Sequence, residues 1–298
     1  MCRMNGSLML SVLLLIVVAL GGLTGCRQKT TVSSSDQIGI AVPVPMTGKY
    51  TEFGMDLINA ARMAIDEKNA QGGIKGRKLV LVTEDDKGDP KDAVTVAHRI
   101  VQDKRIIGIM GHLNSGTTLA ASPIYAEAGI PVVMPVPTNP KITQQGFDDF
   151  FRVPITDDKQ GSAAYEFLAA KADKSALAIV HNKETYGKGI AEEFQKALER
   201  DGGKALVFEG VNSNEQDYRP VIGKIKAAGA SGIFFGGEYA DAARFIKQAR
   251  EQGVEVPLVM GDGCFNTEMA KIAGDAVRNS YVANISPINA PDARAQKF

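Results

Sequence analysis

The chain has three cysteines, three histidines and no surplus of either charge, with 34 basic side chains against 34 acidic ones. Balance without a long run of one sign argues against a nucleic-acid partner, because phosphate backbones are held by basic stripes. Cys2 and Cys26 lie in the first 26 residues and Cys264 stands alone, so a chain acylated at Cys26 has no intramolecular disulfide to form. The phosphate loop GxxxxGKS/T is missing, as are GxGxxG after the first strand, HExxH, CxxC and the GxSxG elbow. Of the histidines, His98 falls within a helical pattern, whereas His112 and His181 follow strands. Glu84-Asp85-Asp86 ends a strand with oxygen ligands but without the spacing of a metal loop, and it reads rather as a solvated loop that caps the next helix. These gaps predict no catalytic residues, no cofactor and no metal, and hence no enzyme.

At the start, Arg3 precedes an almost unbroken apolar run from Leu8 to Leu20, followed by Leu23-Thr24-Gly25-Cys26. The run is short for a membrane span and has the flanks of a secretion signal. Its ending resembles the lipobox of bacterial lipoproteins. That resemblance implies that residues 1–26 are a lipoprotein signal peptide and that Cys26 is acylated, anchoring a secreted protein to a membrane on the periplasmic or cell-surface side. Residues 27–36 are polar and rich in Ser and Thr, as a tether would be.

From Gln37 onward, short apolar runs alternate with segments whose apolar residues recur at helical spacing. Strands are predicted at Gln37 to Val44, Lys78 to Thr83, from Ile106, and at Pro131 to Met134. Further strands fall at Ala176 to Val180, Lys204 to Phe208, Gly232 to Phe235 and Pro257 to Met260. Helical patterns fill the intervals, and Asp89-Pro90 begins one of them. Such alternation predicts an α/β fold with parallel sheets covered by helices. About 270 residues beyond the signal suffice for two lobes, each with its own core. The segment from Thr138 to Phe147, with two prolines and few apolar residues, is the best candidate for a boundary in the linear pattern.

Gly111 to Pro140 is the most informative stretch. A strand stops at Gly111, and the small hydroxylated residues Ser115, Thr117 and Thr118 open a helix. Free N–H groups and the positive end of the helix dipole suit a carboxylate or phosphate there. An ordinary N-cap followed by a proline-rich connection fits the same local pattern.

Met46-Thr47-Gly48, Gly72-Gly73-Ile74-Lys75-Gly76, Asp85-Asp86 with Asp89-Pro90, Gly111-His112-Leu113 with Ser115, Tyr186-Gly187, Gly236-Gly237 and Gly261-Asp262-Gly263 occur in one order. In that order they resemble the branched-chain amino-acid (Leu/Ile/Val) binding proteins of ABC transporters, a type I periplasmic binding protein family. The resemblance runs over nearly all of residues 37–283. It implies two doubly wound parallel-sheet lobes joined by a hinge, the first at 37–156 with 284–298 returning to it, the second at 157–283. It further implies a small-molecule ligand, an amino acid, delivered to a transporter permease. On the matching positions, Ser115 would receive the ligand carboxylate. Thr138 would help hold both carboxylate and ammonium, the backbone carbonyl of Val136 would accept from the ammonium, and Asp262 would neutralise it. Tyr186 would form an aromatic wall, and Phe53 takes a further aromatic position.

Two positions depart from that pattern. Glu238 stands where leucine-binding members carry tyrosine; facing the cleft it would suit a polar or cationic side chain, and facing solvent it would mean nothing. Gly88 and Asn114 occupy positions that some members bridge with two cysteines, which leaves Cys264 as a small buried residue. The resemblance also implies that the family continues past Phe298, so the sequence reads as a fragment that leaves apolar sheet faces uncovered. Ligands such as urea, short amides or aromatic acids fit similar sequences, and the same fold also serves as a sensing domain in signalling.

Overall fold

The computed structural model describes residues 37–284. The signal peptide, Cys26, the tether of residues 27–36 and the return of residues 285–298 to the first lobe lie outside the described residues.

Among the described residues, ten strands form two sheets of five. The first lobe contains β1 (Gln37–Val44), β2 (Lys78–Asp85), β3 (Ile106–Met110), β4 (Val132–Met134) and β5 (Phe150–Arg152) in the order β2-β1-β3-β4-β5. The second contains β6 (Leu177–His181), β7 (Val207–Gly210), β8 (Gly232–Gly236), β9 (Leu258–Met260) and β10 (Ser280–Val282) in the order β10-β9-β8-β6-β7. Read from its first strand, each lobe follows one winding, and β3, β4, β5 and all of the second sheet pair in parallel. A doubly wound sheet of this order opens a crevice where the winding reverses, at the carboxyl ends of its first and third strands. Those ends are β1 and β3 in the first lobe, and β6 and β8 in the second.

Helices cover the sheets according to their apolar stripes. In the first lobe, α1 (Thr51–Ala70) packs Ile58 and Ala61 against Val42 and Val44. On the other face, α2 (Pro90–Gln102) and α3 (Ser115–Ala128) pack Val96, Ile100 and Tyr125 against Ile109, Val132 and Met134. In the second lobe, α4 (Asp157–Ala169) and α5 (Thr185–Arg200) bury Leu168, Ile190 and Phe194 on one face. The opposite face receives α6 (Arg219–Ala227) and α7 (Tyr239–Glu251), with Ile222, Phe245 and Ile246. Coverage on both faces explains why β6 and β8 are buried throughout, as continuous apolar runs should be. By contrast Val133 and Phe151, paired across β4 and β5, stand exposed on the α1 side of the first sheet. The short α8 (Thr267–Ala273) follows β9.

Three features differ from the sequence pattern. Residues 138–147 do not separate the sheets: Pro140–Gln145 is a 3-10 turn leading into β5, which pairs with β4 of the first lobe. Three residues are too few for a periodic signal, so β5 was invisible, and the chain changes sheet only after Arg152. The seventh strand is Val207–Gly210, displaced toward the C-terminus from Lys204 to Phe208. Finally, Glu84, Asp85 and Asp86 diverge to separate partners. Glu84 meets Arg99, Asp85 accepts from Met46 N, Thr47 and Lys87 N, and Asp86 meets His112. No group of three acidic, histidine or cysteine side chains among the described residues could hold a metal ion.

Candidate functional site

Between the lobes lies a cavity of about 550 Å³, part of it open to solvent, within the range of small-molecule sites. Its walls come from the loops that leave the carboxyl ends of β1, β3 and β4 on one side and β6, β8 and β9 on the other. All seven residues singled out from the sequence line it: Phe53, Ser115, Val136, Thr138, Tyr186, Glu238 and Asp262.

Ser115 begins α3 and is 2 % exposed. The side chain of Asn114 accepts nothing from the first-turn N–H groups, and no acidic residue sits in that turn. Thr117 and Thr118 instead turn their hydroxyls back to the carbonyl of Asn114, both at 2.8 Å. The helix start therefore offers N–H donors and a hydroxyl, with the positive end of its dipole, to whatever enters the cavity. Thr138, also 2 % exposed, stands beside it on the β4 loop.

The opposite wall is acidic. Asp262 accepts from the Tyr186 hydroxyl at 2.8 Å, and the same hydroxyl accepts from Gly263 N at 3.0 Å. The glycines flanking Asp262 are required by this packing, since a Cβ on Gly261 or Gly263 would lie 2.5 or 2.8 Å from the Tyr186 side chain. Burial raises the Asp262 carboxyl above its usual range, opposed by the hydrogen bond from Tyr186 and by the nearby Gln160 amide, whose oxygen accepts from Asp262 N at 3.1 Å. Burial likewise pushes the Tyr186 phenol well up.

Glu238, just before α7, faces the cavity. Its Oε1 accepts from Tyr50 across the cleft at 3.1 Å, and its Oε2 accepts from Asn182 at 2.5 Å. Burial raises this carboxyl too, while the charge of Lys49 works against the rise. Phe53 reaches over the cleft to Tyr239, ring centroids 5.7 Å apart and edge to face. A further cross-lobe hydrogen bond runs from Asn139 Nδ2 to the carbonyl of Thr185 at 3.1 Å.

Neither histidine that follows a strand lines the cavity. His112 is fully buried between Asp86 and Tyr125, and His181 is 5 % exposed and packs on Phe208. Sequence reasoning missed Tyr50, Leu113, Pro137 and Gly263 as wall residues, and knew Asn114 only as a replaced cysteine. Tyr50 carried a usable signal, lying in the first loop beyond β1 and three residues before Phe53. Gly88 and Asn114 are indeed neighbours: a Cβ on Gly88 would stand 3.2 Å from Asn114 Oδ1. Cys264 is buried and donates to the carbonyl of Gly237 at 3.2 Å.

Known proteins share this arrangement. The family described as periplasmic binding protein matches residues 37–298. The Leu/Ile/Val-binding protein homolog 1 of Brucella abortus (strain 2308) is 35 % identical over 294 residues, covering 99 % of this chain and 75 % of that protein. Among solved structures, a leucine binding protein, LivK, from Thermotoga maritima superposes with a TM-score of 0.80 at 28 % identity, covering 88 % of this chain and 74 % of its own. The branched-chain amino acid transporter substrate binding protein LivJ from Streptococcus pneumoniae, solved with isoleucine, gives a TM-score of 0.78 at 27 % identity, with coverage of 88 % and 75 %. With both lobes, their common winding and the cleft in place, the chain belongs to the periplasmic binding protein family, in its type I architecture.

Proposed function

We propose that the cleft captures an amino acid, branched-chain or related, as the extracytoplasmic solute-binding component of an ABC importer. One observation carries the reading: a helix start without acidic or capping acceptors faces the half-buried carboxylate of Asp262 across a single cavity. Hydrogen-bond donors on one wall and a carboxylate on the other match the two ends of a zwitterion. In this reading Ser115 and the first N–H groups of α3 take the α-carboxylate. Asp262 and the carbonyl of Val136 take the ammonium, Thr138 helps hold both ends, and Tyr186 and Phe53 cover the side chain. Ligand touching both walls at once favours closure of the lobes, because that set of contacts is complete only when they meet. The cycle is capture and release to a permease, without covalent chemistry, and needs no cofactor.

Several further assignments belong to the same proposal. The lobes divide at residues 156 and 157, and the lipoprotein signal is cleaved immediately before Cys26. Cys26 then carries the lipid that holds the protein to its membrane. Metabolic labelling with a radiolabelled fatty acid tests the anchor, and label retained in Cys26→Ser would refute it.

Isothermal titration with the twenty amino acids, urea, short amides and aromatic acids tests the ligand class. Binding of at least one amino acid, weakened tenfold or more in Ser115→Ala and in Asp262→Asn, is the expected result. Binding confined to an amide or an aromatic acid would overturn the amino-acid assignment.

A further inference from the structure

The two acidic side chains of the cavity have separate partners, and a single ammonium satisfies only one of them. Asp262 is held by Tyr186, whereas Glu238 is held by Tyr50 and Asn182. A carboxylate offers about four acceptor positions, and the protein supplies Glu238 with one donor on each oxygen. No ion pair among the described residues includes Glu238. Lys49, whose charge reaches it, contacts Glu184 at 3.5 Å and lies over the Tyr50 ring at 4.5 Å. A second polar group lies near Tyr50: the amide oxygen of Asn114 is buried without a protein partner, and a Cβ built on Gly88 would stand 2.5 Å from the Tyr50 ring and 3.2 Å from that oxygen.

Resting on the amino-acid reading of the cleft, we infer that the Tyr50–Glu238 end of the cavity selects ligands whose side chain carries a hydrogen-bond donor or a positive charge, with Glu238 as the acceptor. An aliphatic side chain closing over Glu238 would strip water from its remaining acceptor positions and return nothing, which costs free energy. A side-chain amide, hydroxyl or ammonium replaces that water. A site built to pair with a donor discriminates strongly against an analogue lacking one, because the buried acceptor is then left unpaired. The leucine binding protein of Thermotoga maritima and the isoleucine complex of the Streptococcus pneumoniae protein are named for side chains with no such group, so the preference sets this chain apart from them.

Calorimetric titration of the wild-type protein with L-leucine, L-glutamine and L-lysine decides the matter without any variant. Glutamine or lysine bound at least tenfold more tightly than leucine is the expected result. In Glu238→Leu the order should reverse, and in Glu238→Gln lysine should lose at least tenfold while leucine changes little. Leucine bound as tightly as the other two, or more tightly, in the wild type overturns the inference. Equal loss for all three ligands in Glu238→Gln also overturns it, leaving Glu238 as a fastening between lobes. Failure of every amino acid to bind sinks the amino-acid reading itself, a result distinct from a preference for leucine.

Discussion

The Tyr186 hydroxyl donates to Asp262 Oδ1 at 2.8 Å and accepts from Gly263 N at 3.0 Å, so one phenol fixes both a carboxylate and the turn that carries it. The two residues are 76 positions apart and come from different loops of the second lobe. Their bond aims Asp262 at the cavity while the Tyr186 ring lines the wall beside it.

Tyr186→Phe keeps the ring and removes the bond. Hydrogen bonds to charged groups contribute about 1.5–3 kcal/mol, so ligand affinity should fall by about tenfold or more. Titration calorimetry on the variant checks this, and an unchanged dissociation constant would show that Asp262 is positioned without the phenol.

Asp86 and His112 form a buried pair behind the Ser115 loop. His112 Nδ1 lies 2.5 Å from Asp86 Oδ2, and its Nε2 lies 3.0 Å from the Tyr125 hydroxyl. Asp86 also accepts from Gly88 N at 2.9 Å, and both side chains of the pair have no exposed surface. Asp86→Ala leaves the imidazole and an N–H buried without their acceptor, at a cost of about 2–5 kcal/mol. The urea midpoint should fall accordingly; a loss below about 0.5 kcal/mol, the range of ordinary surface substitutions, would be incompatible with a structural pair.

Asp157 begins α4, has no exposed surface and has a carboxyl pushed up to about 7, chiefly by burial. The nearby Thr138 side chain and the charge of Arg152 oppose the rise. In the unfolded chain the same group titrates near about 3.9. Between these values the folded state holds the proton more tightly, so this group makes stability fall as pH rises from about 4 to about 7 and stay level above. Asp262 and Glu238, both raised, act in the same direction. Urea unfolding of Asp157→Asn and wild type from pH 4.5 to 8 should show the variant gaining relative stability across that window. A constant difference would mean that Asp157 titrates alike in both states.

Two glycines in helices should respond oppositely to alanine. A Cβ on Gly54 of α1 would lie 1.9 Å from the carbonyl oxygen of Pro45, so Gly54→Ala must push the helix off the end of β1. Overpacking of this kind costs about 1–3 kcal/mol. Gly223 of α6 has nothing within 4 Å of its Cβ position, and Gly223→Ala should stabilise by about 0.5–1 kcal/mol through helix propensity. Thermal melts of the two variants should move apart; movement of both in one direction would refute the packing argument at one of them.

The linear sequence determined the fold class and the loops of the site. Buried parallel strands such as β6 and β8 are unbroken apolar runs, and the helices between them carry apolar stripes, so their periodicities differ. Hydroxyls crowded at the start of α3, and glycines around Asp262, marked loops where a backbone or side chain must come close to something. Tertiary structure alone decided which side chains meet. Tyr50 and Glu238 are 188 positions apart, and their hydrogen bond exists only because two separately wound sheets present their carboxyl ends to one another. The orientation of Glu238, toward cleft or solvent, had no local signature, because a residue before a helix has the same pattern either way. The same holds for His112: it follows a strand beside Leu113 and Ser115, but the folded backbone turns it inward onto Asp86. Periodicity records what a residue's neighbours along the chain require, whereas pairings across a cleft depend on how whole lobes are placed.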